Sequence, residues 1–271
     1  MSLAGPAFET GSVLEISARP PTKLSGVNHS IPATARANAP SPRLAVIIPY
    51  RDRAAHLAEL LPALQGTLSE GLLRHGYDCA IHVVEQLDAR PFNRGKLLNC
   101  GAAIAGAATD YFILHDVDYV PLAADYGWVH GPTRLIWYGL ALWESYDTFF
   151  GAVTAMPRRQ FELVNGYSND YWGWGSEDVD LRFRCESRGL ALAHRDGRFR
   201  SLPHRHNGFA APGVLTPEAE VTHALLRERL PSFQEGIPRE GLSTLQMDLA
   251  WTKRVETERA GPAVLHHGVR L

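Results

Sequence analysis

Short apolar runs that alternate with helical patterns constrain the fold of this chain more than any other feature. Apolar side chains dominate residues 44–48, 80–84 and 111–114, and these runs are rich in β-branched or aromatic side chains, as buried strands are. Leucines at helical spacing follow the first run, and an Ala- and Leu-rich helix is predicted over residues 93–107. This β-α-β-α-β order favours an α/β fold with a mostly parallel central sheet.

Length and composition set the expected domain organisation. The chain has 271 residues and a hydrophobic fraction of 45%, which is enough for one sizeable core. Residues 1–42 are rich in Ala, Pro, Ser and Thr and show no clear period, so we expect a loosely ordered N-terminal arm. We expect residues 43–271 to form a single domain.

Charge and hydropathy argue against two classes of partner. The formal net charge is −2 and the arginines are scattered, whereas nucleic-acid-binding domains carry a basic patch. No apolar run approaches the ~20 residues that a bilayer-spanning helix needs, and residues 1–10 lack the pattern of a signal peptide. We therefore expect no nucleic-acid partner, no transmembrane segment and a cytoplasmic location.

Two aspartates, Asp116 and Asp118, come just after the third apolar run. In α/β sheets, ligands bind beyond the carboxyl ends of the strands. Carboxylate oxygens suit Mg²⁺ or Mn²⁺, so one aspartate could bind a divalent ion while the other orients a ligand. Aspartates that cap a turn are the alternative.

Two histidines, His204 and His206, are separated by one residue. Their imidazoles can converge on one ion if the backbone is extended, although an exposed polar loop has the same pattern. Together with the aspartates, they favour a mixed oxygen and nitrogen site for Mn²⁺. In contrast, His266 and His267 are expected to lie in a solvated tail.

Residues 172–180 combine two indoles, two glycines and three carboxylates. Trp174 could be a core residue, but an exposed indole is also a platform for the apolar face of a sugar ring. Glu177 and Asp178 begin a predicted helix over residues 177–188, where the helix dipole favours carboxylates. The functional alternative is a general base for an attacking hydroxyl.

Three arginines, Arg51, Arg53 and Arg94, follow predicted strand ends or begin helices. Guanidinium groups at such positions could pair with a diphosphate, since they match its oxygens with two parallel hydrogen bonds. Surface salt bridges are the alternative.

Five motifs occur in an order that is similar to a known family. They are residues 47–53 (IIPYRDR), 92–99 (FNRGKLLN), 116–118 (DVD), 150–153 (FGAV) and 172–178 (WGWGSED). The chain resembles the β-1,4-galactosyltransferases, which are inverting enzymes with a GT-A fold. It is most similar to the branch that transfers galactose to xylose, and the absence of an anchor and stem indicates a bacterial member.

The resemblance implies a Mn²⁺ ion and a UDP-sugar donor. Asp118 would be a metal ligand, joined by His204 and His206 as in the xylose-specific branch. Asp178 would be the catalytic base, with Glu177 beside it. We therefore expect a Mn²⁺-dependent enzyme that moves galactose from UDP-galactose to a sugar hydroxyl in β-1,4 linkage, on xylose or N-acetylglucosamine.

The resemblance also implies which residues surround the donor. Trp174 would contact both the donor and the acceptor from its loop. Asp116 would support the ribose or the diphosphate. The residues implied on the nucleotide side are Pro49, Tyr50, Arg51, Arg53 and Arg94.

Departures from the family pattern leave alternatives open. Phe149 stands where many members have a tyrosine, so the donor could be UDP-N-acetylgalactosamine or UDP-N-acetylglucosamine. Val179 replaces the last carboxylate of the usual Glu-Asp-Asp run, and Ser176 replaces a frequent glycine. A non-catalytic glycan-binding protein and a metal-dependent nucleotidyltransferase are the alternatives from other classes.

Overall fold

The computed structural model describes residues 41–136, 150–203, 208–211, 214–235, 239–257 and 261–271. Its helices are α1 (Ala54–Gly71), α2 (Arg94–Ala105), α3 (Arg158–Leu163), α4 (Glu177–Ser187), α5 (Pro217–Arg229) and α6 (Ser232–Glu235). Its strands are β1 (Arg43–Tyr50), β2 (Asp78–Gln86), β3 (Tyr111–His115), β4 (Tyr119–Ala123), β5 (Thr133–Ile136), β6 (Val153–Pro157), β7 (Ala193–Ser201), β8 (Phe209–Ala211), β9 (Val214–Leu215), β10 (Asp248–Val255) and β11 (Ala263–Arg270). The arm expected over residues 1–42 falls almost wholly outside the described residues.

A nine-stranded sheet runs through the described part of the chain in the order β10-β11-β2-β1-β3-β6-β5-β7-β4. Its central strands β11, β2, β1 and β3 are parallel. Helices α1 and α2 form the crossover connections from β1 to β2 and from β2 to β3, as parallel strands of one sheet require. Antiparallel pairings flank this centre, including β10 with β11 and β3 with β6. The α/β prediction is therefore confirmed.

Two hydrophobic layers cover the sheet, one on each face, and β1 is therefore buried on both faces. The side chains of Val46 and Ile48 pack in the layer that includes α1, and Ile47 packs in the layer that includes α2. Strand β1 consequently reads as a continuous apolar run, as expected for a parallel strand covered on both sides. Helix α1 continues through the exposed Pro62. Among the described helices, none is both long enough and apolar enough to cross a bilayer.

The expectation that His266 and His267 lie in a solvated tail is wrong. Both belong to β11, which lies between β10 and β2. His267 is buried, with its Nε2 atom 3.1 Å from Nδ1 of His82. Nε2 of His266 lies 3.0 Å from the carboxylate of Glu85. The sequence pattern gave no sign of this burial because β2, which carries the partners of both histidines, lies far away along the chain.

The turn after β3 is held by backbone hydrogen bonds on both sides. The amide of Asp116 donates to the carbonyl oxygen of Ala152 at 2.9 Å, and the amide of Leu202 donates to the carbonyl oxygen of Asp118 at 2.7 Å. Ala152 has a φ of 62°, a strained conformation for a residue with a side chain. This turn therefore has a fixed position at the carboxyl end of the parallel strands.

Acid should destabilise the fold through His82. Burial and the neighbouring His267 lower the pKa of His82 to about 4, below the usual 6.5. The unfolded chain then binds more protons between these pH values, so the stability is complete above pH 6.5 and is lost as the pH falls toward 4. Between pH 7 and pH 5 we expect His82 to lower the free energy of unfolding by about 2 kcal/mol.

Urea denaturation of His82→Gln at the two pH values tests this prediction. Glutamine keeps a polar partner for His267 but does not titrate, so the acid-induced loss should be smaller than in the wild type. His75→Gln changes an exposed histidine and serves as the control. Equal acid-induced losses in the wild type and in His82→Gln would contradict the assignment.

Candidate active site

One guanidinium joins three elements at the carboxyl end of the sheet. Nε of Arg94 donates to Oδ1 of Asp116 at 2.6 Å, and Nη1 of Arg94 lies 3.4 Å from Oε1 of Glu177. Arg94 is the first residue of α2, Asp116 follows β3, and Glu177 is the first residue of α4. The structure therefore brings together three residues that the sequence analysis assigned to the site.

The start of α2 explains the position of Arg94. Asn93 caps the helix, because its side chain accepts a hydrogen bond from the amide of Lys96 at 2.8 Å. Nδ2 of Asn93 donates to the carbonyl oxygen of Asn169 at 2.8 Å, and the amide of Asn93 donates to the side chain of Gln86 at 3.0 Å. A buried asparagine thus ties α2 to the segment before the tryptophan loop, which we define as residues 172–176.

The carboxylates around Arg94 have raised pKa values. Burial is the largest cause at each of them, and the charge of Arg94 opposes it without cancelling it. The pKa of Glu177 rises to about 7 and that of Asp116 to about 6, while that of Asp178 also lies above its usual value. Several carboxylates crowded around one guanidinium make this region attractive to a further cation.

Asp118 is half-buried in the same turn, and its charge contributes to the raised pKa of Asp116. Asp118 thus places a carboxylate oxygen, a ligand type that suits Mn²⁺, at the tip of β3, while the described residues alone hold no group of three metal-ligating side chains. His204 and His206, the other predicted ligands, lie outside the described residues. The described segment 150–203 ends one residue before His204. Within it, the amide of Leu202 donates to the carbonyl oxygen of Asp118.

The tryptophan loop has an unusual backbone. Gly173, Gly175 and Ser176 have φ values of 103°, 94° and 74°. The amide of Gly173 donates to the carbonyl oxygen of Phe92 at 2.8 Å, which fixes the loop beside the start of α2. The half-buried Trp174 packs so closely on Gly208 that a Cβ atom on Gly208 would collide with the indole. The positive φ values explain why glycines occupy positions 173 and 175 of this loop.

The carboxylates at the start of α4 have different partners. Oδ1 of Asp178 accepts the amide of Val179 at 2.8 Å, whereas Asp180 is fully buried and paired with Arg184. Arg184 also contacts Glu240, and Arg229 lies 3.0 Å from the same glutamate. Asp180 therefore belongs to a buried ion network that supports α4, and Glu177 is paired with Arg94. Asp178 is the carboxylate at the start of α4 that remains as the candidate base.

The predicted nucleotide residues gather at the carboxyl end of β1. Pro49 and Tyr50 are buried at the end of this strand, and the carbonyl oxygen of Arg53 accepts the first hydrogen bond of α1 from Leu57 at 2.9 Å. Arg51 donates from Nη1 to the carbonyl oxygen of Arg90 at 2.7 Å. Arg94 differs from this group, since the hydrogen bonds described for it go to carboxylates.

The structure adds residues that sequence reasoning did not assign to the site. The Arg51 guanidinium lies 5.4 Å from the centre of the Phe92 ring. The Arg90 guanidinium lies 4.3 Å from the centre of the Trp172 ring, and Nζ of Lys96 lies 5.6 Å from it. Phe92 and Trp172 belong to two of the five motifs, which is the only signal in the sequence for these contacts. Neither periodicity nor spacing shows which cation contacts which ring.

Comparisons with known proteins give the family. The model of the N-terminal region of glycosyl transferase group 7 matches residues 13–127, and that of the N-terminal domain of galactosyltransferase matches residues 140–206. The chain belongs to glycosyl transferase group 7, the family of the β-1,4-galactosyltransferases. This confirms the family resemblance that the five motifs indicate.

Two curated relatives illustrate the extent of the similarity. Mouse (Mus musculus) β-1,4-galactosyltransferase 5 is 35% identical over 201 residues, which are 70% of this chain and 49% of the relative. Human (Homo sapiens) β-1,4-galactosyltransferase 7 is 34% identical over 214 residues, 77% of this chain and 62% of the relative. The chain thus spans about half to three fifths of the length of these galactosyltransferases.

A solved member of the family shares the fold. A mutant of Drosophila β-1,4-galactosyltransferase 7, in complex with manganese, UDP-Gal and xylobiose, superposes with a TM-score of 0.67 and 25% sequence identity. The match covers 85% of this chain and 94% of that one. The expected GT-A fold of this family is confirmed.

Arg94→Gln should destabilise the protein most at high pH. The substitution leaves the buried carboxylate of Glu177 without its cation, and loss of one partner of a buried pair costs roughly 3–5 kcal/mol. Burial raises the pKa of Glu177 to about 7 even with the charge of Arg94 opposing it, and removal of this cation raises it further, so the folded variant gains a proton at Glu177 as the pH falls. Protonation relieves the unpaired charge, and the loss measured by urea denaturation should be smaller at pH 6 than at pH 8.

Two control variants accompany this measurement. Arg94→Lys keeps the charge but not the guanidinium geometry, so we expect an intermediate loss. Arg182→Gln removes the pair with Glu186 on the outer side of α4, where such pairs contribute less than about 1 kcal/mol. If Arg94→Gln lost the same free energy at both pH values, the pairing with Glu177 would not be the source of the effect.

Proposed function

We propose that this chain is a Mn²⁺-dependent inverting galactosyltransferase. It moves galactose from UDP-galactose to a hydroxyl of a sugar acceptor in β-1,4 linkage, with xylose as the favoured acceptor. Family membership supports the reaction class, and the fold shared with a Drosophila enzyme solved with manganese, UDP-Gal and xylobiose supports the choice of metal, donor and acceptor.

The observation that carries the proposal is the arginine-centred cluster. Arg94 links the Asp116–Asp118 turn to Glu177, and Asp178 follows at once in the same helix turn. The turn that carries the candidate metal ligand and the helix start that carries the candidate base therefore meet at one guanidinium. A transferase needs this juxtaposition, because the leaving group and the attacking hydroxyl meet at the same carbon.

Asp118, His204 and His206 would hold the metal. When bound, Mn²⁺ supplies positive charge that neutralises the diphosphate leaving group. The hydrogen bond from Leu202 to Asp118 supports this ligand set, because only Pro203 separates Leu202 from His204. Asp116, whose oxygen accepts from Arg94, is held for the ribose or the diphosphate.

Asp178 would accept the proton of the acceptor hydroxyl. The hydroxyl oxygen forms a bond to C1 of galactose from the face opposite the diphosphate, and the bond from C1 to the diphosphate oxygen breaks with its electron pair leaving on UDP. The raised pKa of Asp178 makes it a better proton acceptor than an exposed aspartate. Glu177 and Arg94 orient the start of α4 and hence the base.

The donor side would be formed by the carboxyl end of β1. Pro49, Tyr50 and Arg53 would line the nucleotide, and the stacked Arg51 and Phe92 offer a planar surface for its base. Trp174, half-buried on Gly208, would contact the donor and the acceptor sugar. Arg94 acts here through the carboxylates that it holds.

Release of UDP tests the proposed activity. With Mn²⁺, the protein should release UDP from UDP-galactose when a xyloside is present, faster than from UDP-N-acetylgalactosamine or UDP-N-acetylglucosamine. Glucosaminides serve as the second acceptor panel. Glycan binding without release of UDP would support the non-catalytic alternative, and a preference for an N-acetylhexosamine donor would move the protein to the other transferase class.

Asp178→Asn should abolish transfer while preserving donor binding. General-base assistance accelerates a reaction by roughly 10²–10⁴-fold, so turnover should fall at least 100-fold. Asparagine keeps an oxygen for the amide of Val179, and UDP binding in the presence of Mn²⁺ should remain as in the wild type. Glu186→Gln, at an exposed position of the same helix, is the control. Turnover within about tenfold of the wild type would refute this assignment.

Asp118→Ala and His206→Ala should weaken metal binding. We expect both variants to need at least about tenfold more Mn²⁺ for half-maximal activity, since each loses a ligand. Mn²⁺ binding measured by electron paramagnetic resonance, without any donor, gives a readout that is independent of activity. Asp248→Ala changes an exposed carboxylate on β10 and is the control. An unchanged affinity in either variant would remove that residue from the ligand set.

A further inference from the structure

Two consecutive residues of α5 contact the tryptophan loop. The Thr222 hydroxyl lies 2.7 Å from the carbonyl oxygen of Trp174 and 2.9 Å from that of Ala219, and it shares its one proton between these two acceptors. Nδ1 of His223 lies 3.3 Å from the hydroxyl oxygen of Ser176, and the His223 ring is nearly parallel to the Trp174 ring at a centroid distance of 6.5 Å. The contacts lie on both sides of Gly175, so α5 holds the loop at two neighbouring points.

The hydrogen-bond partners of His223 define where its proton is. Nδ1 also lies 2.9 Å from the carbonyl oxygen of Ala219, one turn earlier in α5. A carbonyl oxygen can only accept, so Nδ1 must carry a proton, which it shares between Ala219 and the hydroxyl oxygen of Ser176. His223 is therefore the donor in its contact with the loop.

Ser176 is a costly residue for this position. Its φ of 74° is in the left-handed region that favours glycine, and its hydroxyl makes no capping hydrogen bond to α4 although it occupies the N-cap position. The hydroxyl instead faces His223. Ser176 thus gives up two ordinary sources of stability, and the contact with α5 compensates for part of that loss.

We infer that Thr222 and His223 are positioning residues, which fix Trp174 and the start of α4 in the geometry that the acceptor requires. The inference rests on the proposed transferase function. Thr222 sets the carbonyl group of Trp174, and His223 sets Ser176, the residue directly before Glu177 and Asp178.

Substitutions at the two residues separate their contributions. Thr222→Val keeps the shape of this buried side chain but removes the hydroxyl donor. His223→Phe keeps a ring beside Trp174 but removes the donor, and His223→Asn keeps an N–H donor near the Nδ1 position but removes the ring. Val221→Ala changes an exposed neighbour on α5 and is the matched control.

Acceptor kinetics give the first readout. We expect Thr222→Val and His223→Phe to lower kcat/KM for the xyloside by about tenfold each, the effect of one lost hydrogen bond in a positioned site. His223→Asn should recover part of this loss. The dissociation constant for UDP with Mn²⁺ should remain within about twofold of the wild type, because UDP carries neither of the sugars that Trp174 would contact.

Hydrogen exchange of the loop gives a readout that does not depend on activity. The amides of residues 174–178 should exchange about tenfold faster in Thr222→Val and His223→Phe than in the wild type and in Val221→Ala. In a Ser176→Gly background, His223→Phe should have little further effect, because the hydroxyl that His223 contacts is gone. This cycle separates the contact with Ser176 from a general loss of α5.

The outcomes decide between the two proposals. If the variants show faster exchange of the loop but the protein releases no UDP, the proposed transferase function and the acceptor role are refuted. The inference that α5 anchors the loop would then still hold. In an active wild type, exchange and acceptor kinetics that match Val221→Ala would overturn the positioning role. An equal loss in UDP binding and in acceptor kinetics would also overturn it, since it would indicate a general structural defect.

Discussion

The ion pairs of Arg94 with Asp116 and Glu177 are the interaction on which the geometry of the site depends. A strand end, a helix start and the residue after the tryptophan loop meet at one guanidinium. Burial alone would drive these carboxylates toward their neutral forms, and the cation opposes this without fully reversing it. The cluster therefore crowds several carboxylates around one guanidinium, a setting that favours a further cation.

The sequence predicted the centre of the fold well because the signal there is local. Strand β1 is covered on both faces and reads as one apolar run, and α2 begins directly after the capping Asn93. The strand-end aspartates could be found for the same reason. The family motifs then indicated Arg94 and Glu177 as site residues. They did not show that the two residues form an ion pair, because a contact between residues so far apart in the chain produces no periodic pattern.

The sequence failed where long-range pairing decides the environment. His266 and His267 look like a polar tail, yet β11 lies inside the sheet and each histidine has a partner on β2. The same limit applies to the region after residue 208, which lies beyond both matched family models. Thr222 and His223 lie in that region. So does Glu240, the partner of the buried Arg184.

The insertion of β11 beside β2 has a consequence for how the chain reaches this state. His82 and His267 are separated by 185 positions, so their pairing closes a very long loop. Contacts of such large sequence separation form late in folding because the entropy of loop closure opposes them. Until then β2 presents an open edge with unpaired backbone groups, which is a template for strand exchange between molecules. The hairpin of β10 and β11 therefore covers the edge of β2 and leaves β10 as the outer strand on this side of the sheet.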